Sequence, residues 1–136
     1  MILGCGVDLI EVARFERELS LRGTDLLDEL FNPAEIARCR ARRRPAEGYA
    51  MGFAAKEACF KALGTGKIGA MAWRDIDLVQ GGSRAHPAVT LAGETAAVAA
   101  SLGVTRVHAA LTTTREQAVA WVIVEGARDK GQGVRD

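Results

Sequence analysis

The sequence predicts an α+β fold, with helices packed on a mostly antiparallel sheet, and two observations lead to this class. Apolar residues recur at helical spacing in three segments of the first half of the chain. The last two apolar stretches, VHAALTT and QAVAWVIVEG, have the composition of strands and lie close enough to form a hairpin. No linker or repeat divides the 136 residues, so we expect one domain over 1–126 and a polar, disordered tail over 127–136.

The first half of the chain begins with a short buried strand, ILGCGV, at residues 2–7. Val12, Phe15 and Leu19 then follow helical spacing to about residue 22. The next helix has a sharper start signal in FNPAEI, where an Asn cap, a Pro and a Glu stand in the order of a capping box. We expect that helix to end before Pro45.

A third helix spans GFAAKEACFKALGTG, residues 52–66, and ends at a glycine. Its apolar residues surround nearly the whole helix, yet it contains Lys56, Glu57 and Lys61. Glu57 and Lys61 are spaced for an ordinary intrahelical ion pair, and the alternative is that they face a polar cleft. The helical pattern alone leaves both interpretations open.

The second half supplies the remaining elements of the sheet and one helix. It begins with strand-like alternation, followed by a turn, a second strand and an alanine-rich helix that stops at Gly103. In order, these segments are DIDLVQ (75–80), GGSRAHP (81–87), AVTL (88–91) and GETAAVAASL (93–102).

Composition excludes several classes of function. The formal net charge of +1 gives no general attraction to nucleic acid, and no apolar run is long enough to span a membrane. Asp8 interrupts the N-terminal apolar run too early for a signal peptide, and three unpaired cysteines suit a reduced, cytoplasmic protein. The arginine run within residues 38–44 and the two histidines are interpreted as structural or solvated.

The glycine-rich stretch GTGKIG, residues 64–69, matches the letters of a dinucleotide-binding fingerprint but follows a helix instead of a strand. It also lacks the spacing and the Ser or Thr of a Walker A loop. We therefore expect Gly64 to end the helix, with a turn that remains compatible with backbone N–H groups facing a phosphate. Asp8, at a strand end, is expected either to cap the next helix or to project into a cleft.

Two segments in this order, GVDLIEVARFE at 6–16 and FAAKEACFKALGTG at 53–66, resemble the holo-acyl-carrier-protein synthase family, the small bacterial 4'-phosphopantetheinyl transferases. FNPAEI, WRDIDLV and PAVTLAGETAAVAASLGVTRVH extend the resemblance to about residue 126. The resemblance implies the fold of that family. It also implies transfer of the phosphopantetheine arm of coenzyme A to a serine of an acyl carrier protein.

The resemblance also implies roles for individual residues. Asp8 and Glu57 would hold Mg²⁺, and Lys61 would contact a coenzyme A phosphate, as phosphoryl transfer requires. The glycine turn, Gly64, Thr65 and Gly66, would lie along the nucleotide. The motif identifies no general base, and the role of Lys56 is left open.

Carrier proteins present an acidic helix, so a basic docking surface is expected on the first helix. Arg14 matches the docking arginine of the family, and Arg17 and Arg22 lie on the same helix; the alternative is that these are solvated charges offset by nearby glutamates. The resemblance further implies a homotrimer with active sites between subunits.

Four positions depart from the family pattern. Gly52 stands where an arginine usually precedes Phe53, Thr112 and Thr113 replace a Ser-His pair, and Gln117 replaces a tyrosine. These changes leave a second hypothesis, a non-catalytic relative that binds a carrier protein or an acyl-CoA. A third, weaker hypothesis is other chemistry on a carrier-bound or CoA-bound acyl group.

Overall fold

The computed structural model describes residues 1–80 and 86–128, and these form five helices, a 3₁₀ turn and five strands. In chain order the elements are β1 Ile2–Glu11, α1 Val12–Arg22, α2 Thr24–Leu30, α3 Pro33–Arg40, α4 Pro45–Leu63, the 3₁₀ turn Trp73–Asp75, β2 Ile76–Val79, β3 Ala88–Leu91, α5 Gly93–Ser101, β4 Val104–Thr113 and β5 Gln117–Gly126.

The strands form two antiparallel sheets. The larger sheet has the order β1-β5-β4, and the smaller one pairs β2 with β3. The β4–β5 hairpin is present as predicted, with Ala110 opposite Trp121. The α+β class with a mostly antiparallel sheet is therefore confirmed.

Helix α4 is the centre of the molecule and packs on one face of the larger sheet. Two glycines of β1 permit this close packing: a Cβ added to Gly4 would lie 1.9 Å from the Ala62 carbonyl oxygen, and one added to Gly6 would lie 2.0 Å from that of Ala58. Any larger residue would hold the strand away from the helix. Ala58 and Ala62 of α4 are buried because sheet and helix meet backbone to backbone at these positions.

A second buried cluster fills the space between α4 and the first three helices. The Phe15 and Phe53 rings stack 5.1 Å apart, and Trp73 packs against both Phe53 and Phe60. These aromatic contacts attach α1 and the 3₁₀ turn to α4. Among the described residues, no helix combines the length and the apolar composition needed to cross a membrane.

The structure corrects several element boundaries. Strand β1 continues to Glu11 because β5 pairs with it throughout, so Asp8 lies inside a strand, and the interpretation of Asp8 as a helix cap is wrong. The helix predicted from residue 52 begins at Pro45. The helix before it ends at Arg40, which confirms the prediction that it ends before Pro45.

Helix α2, Thr24–Leu30, was not predicted, because a polar seven-residue segment gives little helical periodicity. Most of the predicted turn at 81–87, and the predicted disorder of the tail beyond residue 128, lie outside the described residues.

Candidate functional site

The site forms where β1 crosses α4. Side chains alternate across a strand, so the residues of β1 that face α4 are Gly4, Gly6 and then Asp8. The two glycines bring the strand onto the helix backbone, and Asp8 is the first member of this series with a functional group. Its carboxylate therefore lies against the helix surface that carries Glu57 and Lys61.

Lys61 is bound by the strand. Its Nζ donates to Asp8 Oδ1 at 2.9 Å and to the Val7 carbonyl oxygen at 3.1 Å. Of the two interpretations of the Glu57 and Lys61 pair, the structure favours a polar cleft, since the ion pair of Lys61 is with Asp8, 53 residues away. Half of the Lys61 side chain remains exposed, so its ammonium group is accessible to a ligand.

Asp8 has an unsatisfied oxygen. Its Oδ2 atom is buried and has no hydrogen-bond partner among the described residues. A buried carboxylate oxygen without a donor is costly, and such an atom commonly marks a place where an ion or a water binds. One oxygen of Asp8 is thus paired with Lys61, and the other is available to bind a ligand.

Glu57 is the second carboxylate of the site and is half-buried. Burial raises the pKa of its carboxyl above the ordinary value, the charge of Asp8 raises that pKa further, and Lys61 opposes both effects. Two carboxylates that repel each other beside an unsatisfied oxygen make a fit place for a hard cation. No cluster of three or more His, Cys, Asp or Glu side chains within the described ranges is arranged to hold a metal, so this chain offers two ligands.

The predicted glycine turn follows directly after α4 along the chain. Gly64 ends α4 in the left-handed conformation with φ of 77°, as predicted, and Gly66 also has a positive φ of 66°. Nothing lies within 4 Å of a Cβ added to either glycine, so this turn has an open side. The Thr65 hydroxyl donates to the Gly66 carbonyl oxygen at 2.9 Å, and the turn lies just beyond Lys61.

Lys56, whose role the motif leaves open, is completely buried. Its Nζ donates to Glu35 Oε1 at 3.0 Å, to the Trp73 carbonyl oxygen at 3.1 Å and to the Ile76 carbonyl oxygen. Burial lowers the pKa of Lys56 and raises that of Glu35, and their mutual attraction opposes both shifts. Lys56 therefore joins α4 to α3 and β2, on a different side of the helix from Asp8.

The three arginines proposed for carrier docking lie on α1 and are exposed. Arg22 donates to Glu29 at 3.1 Å in an exposed ion pair, so it is partly neutralised by α2. Arg14 and Arg17 are one turn apart and present their charge to solvent on the helix that follows the Asp8 strand.

Two of the four positions that depart from the family pattern, Gly52 and Thr113, make contacts within the fold. A Cβ added to Gly52 would lie 3.1 Å from the Phe31 ring, so the ring occupies the space beside this glycine. The Thr113 hydroxyl donates to Glu47 at 3.0 Å, which joins the end of β4 to the start of α4. Thr112 is exposed, and Gln117 begins β5 opposite Glu11.

The fold is that of a known class. The family model described as the 4'-phosphopantetheinyl transferase superfamily matches residues 4–122. The chain belongs to this superfamily, which confirms the resemblance seen in its motifs. Its relatives include the holo-[acyl-carrier-protein] synthase of Desulforudis audaxviator, 48% identical over 126 residues, or 93% of this chain and 95% of the relative. That of Koribacter versatilis is 40% identical over 92% of this chain and 99% of the relative.

Solved structures give the same result for the fold. The holo-[acyl-carrier-protein] synthase of Neisseria meningitidis superimposes with a TM-score of 0.84 at 27% identity, covering 92% of this chain and 99% of that one. The Helicobacter pylori synthase in complex with coenzyme A gives a TM-score of 0.75 at 29% identity, with 89% and 99% covered.

Proposed function

We propose that residues 1–126 form a holo-[acyl-carrier-protein] synthase that transfers the 4'-phosphopantetheine arm of coenzyme A to a serine of an apo-acyl carrier protein. The observation that carries the proposal is the cluster of Asp8, Glu57 and Lys61, in a chain 48% identical to a relative of that name. The coenzyme A complex of the Helicobacter pylori relative supports the same donor.

Asp8 and Glu57 are the residues that would hold Mg²⁺. The unpartnered Asp8 Oδ2 and the raised pKa of Glu57 support a cation here, because Lys61 pairs with only one Asp8 oxygen and offsets the Glu57 shift only in part. Mg²⁺ commonly takes one or two protein carboxylates and completes its shell with water and substrate phosphates, which agrees with two ligands here. Bound there, the ion would neutralise charge on the pyrophosphate oxygens.

The chain's own residues orient the reacting groups. Lys61, held by Asp8 and the Val7 carbonyl oxygen, would present its exposed ammonium to a phosphate. Gly64, Thr65 and Gly66, on the open turn just beyond, would lie along the nucleotide.

In the transfer, the serine oxygen bonds to the phosphorus that carries the pantetheine arm, and the bond from that phosphorus to the bridging oxygen breaks. The electron pair of that bond leaves with adenosine 3',5'-bisphosphate, and the serine loses its proton. Glu57, as a carboxylate of the cluster, is one group that would accept this proton. A water in the site is the alternative acceptor.

The acyl carrier protein would dock on α1. Arg14 and Arg17 supply exposed positive charge, and Arg22 adds a charge shared with Glu29. Attraction of this kind raises the association rate and weakens with added salt.

We further propose that the chain assembles as a homotrimer in the cytoplasm. The face of the larger sheet opposite α4 exposes about half of each of three apolar side chains, Val7, Leu9 and Trp121, and Val7 lies directly opposite Trp121 in the β1–β5 register. A patch of this kind on a sheet typically marks an association surface. The described cysteines are free, in keeping with a reducing compartment.

The experiment is intact-mass analysis of apo-acyl carrier proteins after incubation with this protein, coenzyme A and Mg²⁺. A mass gain equal to one phosphopantetheine is the expected result. Glu57→Gln should abolish it, whereas the matched control Glu94→Gln, at an exposed position of α5, should retain it.

The outcome also separates the proposal from the non-catalytic hypothesis. A folded protein that binds carrier proteins or acyl-CoA but gives no mass gain with any carrier would support a binding relative. A different mass change on the carrier or on the CoA thioester would indicate other chemistry on the acyl group.

A further inference from the structure

A cavity of about 230 Å³ lies between α3, α4 and β2, apart from the Asp8 cluster. On the α4 side it is lined by Gly48 and Gly52, one turn apart, and because neither has a side chain, Arg42 and the Phe31 ring lie close to the helix backbone there. Phe31 and Leu78 provide apolar walls, and neither Asp8, Glu57, Lys61 nor the glycine turn lines it.

Two guanidinium groups border this cavity and are held in place from β2. Arg38 donates to Asp77 Oδ1 and, at 3.3 Å, to the Leu78 carbonyl oxygen. Arg42 donates to Gln80 Oε1 at 3.1 Å, and the Gln80 amide nitrogen in turn contacts Met51 Sδ. Each guanidinium has five N–H donors, so both retain donors for a ligand while their positions are fixed.

The Arg42 side chain depends on the first of the two glycines. A Cβ added to Gly48 would lie 2.6 Å from Arg42 Cδ, so only glycine allows the arginine stem to cross α4 there. The stem of Arg42 therefore lies across the helix at the edge of the cavity, while the side chain as a whole remains exposed to solvent.

The one carboxylate that lines the cavity is not available to a cation. Glu35 Oε1 accepts from Lys56 Nζ at 3.0 Å and from the Asn32 backbone N–H at 3.1 Å. Lys56 neutralises Glu35, and Asp77 offsets only Arg38. One positive charge, that of Arg42, is left over at the rim, so the cavity favours an anion.

We propose that this cavity is a second ligand site, which binds a compact organic anion with a phosphate or carboxylate group on a flat apolar body. The anionic group would lie between Arg38 and Arg42, and the body would lie on the Phe31 ring. A volume near 230 Å³ accommodates a single ring with one substituent. The proposal concerns a site separate from the proposed transferase cluster and does not require that cluster to be active.

The test is a titration with phenyl phosphate followed by ¹H–¹⁵N NMR, because glycine amides report the place of binding. Saturable shifts are expected at Gly48 and Gly52 but not at Gly64 and Gly66, with a Kd of about 1 mM or tighter. Inorganic phosphate has only the anionic group and benzyl alcohol has only the ring. Each should bind at least about tenfold more weakly than phenyl phosphate.

Variants of the arginine run provide matched controls. Arg38→Gln and Arg42→Gln should each weaken phenyl phosphate binding about tenfold, since each removes a charged donor. Arg43→Gln removes an equal charge from the same run at a residue that does not line the cavity, and it should leave the Kd unchanged.

Three results would overturn the proposal. The first is no saturable shift at Gly48 and Gly52 up to 10-fold above about 1 mM. The second is equal weakening by Arg43→Gln, which would show general attraction to the arginine run. The third is loss of binding in Asp8→Asn, which would place the ligand in the transferase cluster.

Discussion

Replacement of Lys56 by methionine tests how the centre of the molecule is held together. Lys56 is fully buried, and its partner Glu35 is 4% exposed. Removing the cation leaves a buried carboxylate without its counter-charge and removes the Lys56 donor from the Trp73 and Ile76 carbonyl oxygens, of which Trp73 still accepts from the Ile76 backbone N–H. Loss of one member of a buried pair typically costs about 3–5 kcal/mol, which is a large part of the stability of a small domain.

Glu35→Gln supplies the second arm of a double-mutant cycle. Glutamine preserves the capping box, because its side-chain oxygen still accepts the Asn32 N–H, but it leaves Lys56 without a carboxylate. Each single variant should be strongly destabilised. The double variant should lose less than the sum of the two, by about 2 kcal/mol, because no charge is left buried and unpaired.

The assay is urea unfolding followed by tryptophan fluorescence at pH 7 and pH 5, with Lys67→Met, at an exposed lysine, as control. In Lys56→Met, burial without the attraction of Lys56 raises the pKa of Glu35 further. When the pKa of a carboxyl is higher in the folded than in the unfolded state, the protein becomes less stable as pH rises. The stability of this variant should therefore be closer to that of the wild type at pH 5 than at pH 7. Additive effects within about 0.5 kcal/mol, or a cost of Lys56→Met below about 1 kcal/mol, would refute the reasoning.

Three further predictions concern the site and the sheet. Burial and Asp8 raise the pKa of Glu57, so the metal-free protein should lose stability as pH rises above about 4.5. Glu57→Gln should remove this loss in urea unfolding, and an unchanged pH dependence in that variant would contradict the assignment. Gly6→Ala would place a Cβ 2.0 Å from the Ala58 carbonyl oxygen, so it should lower the free energy of unfolding by about 1–3 kcal/mol and reduce turnover. Wild-type stability and turnover in this variant would be contrary evidence. Trp121→Glu should lower the mass measured by light scattering without unfolding the chain, whereas an unchanged mass would exclude this face from the assembly.

Much of the fold followed from local signals in the sequence. The capping box at Asn32, the glycine end of α4 and the full extent of β5 agree with the structure, because each depends on residues within one turn or one strand. The strand β1 was underestimated because its polar residue Asp8 is held in place by pairing with β5, more than 100 residues away. Local pattern carries no information about such a partner.

The site was found by resemblance and not by periodicity. Helical spacing was equally consistent with an ion pair between Glu57 and Lys61 and with a polar cleft beside them. Only the crossing of β1 over α4, which pairs Lys61 with Asp8, favours the cleft. The second cavity had no sequence signal, since two glycines four residues apart acquire meaning only when α3 and β2 surround them.

By itself, therefore, the sequence determined the fold class, most of the helices and strands, and the motif residues of the proposed site. The tertiary structure decided which charges are buried. Lys56 and Glu57 are adjacent on one helix, yet Lys56 points to α3 and β2 while Glu57 faces the strand that carries Asp8. A charge is structural or functional according to what surrounds it, and those surroundings come from residues that are distant along the chain and meet only when it folds.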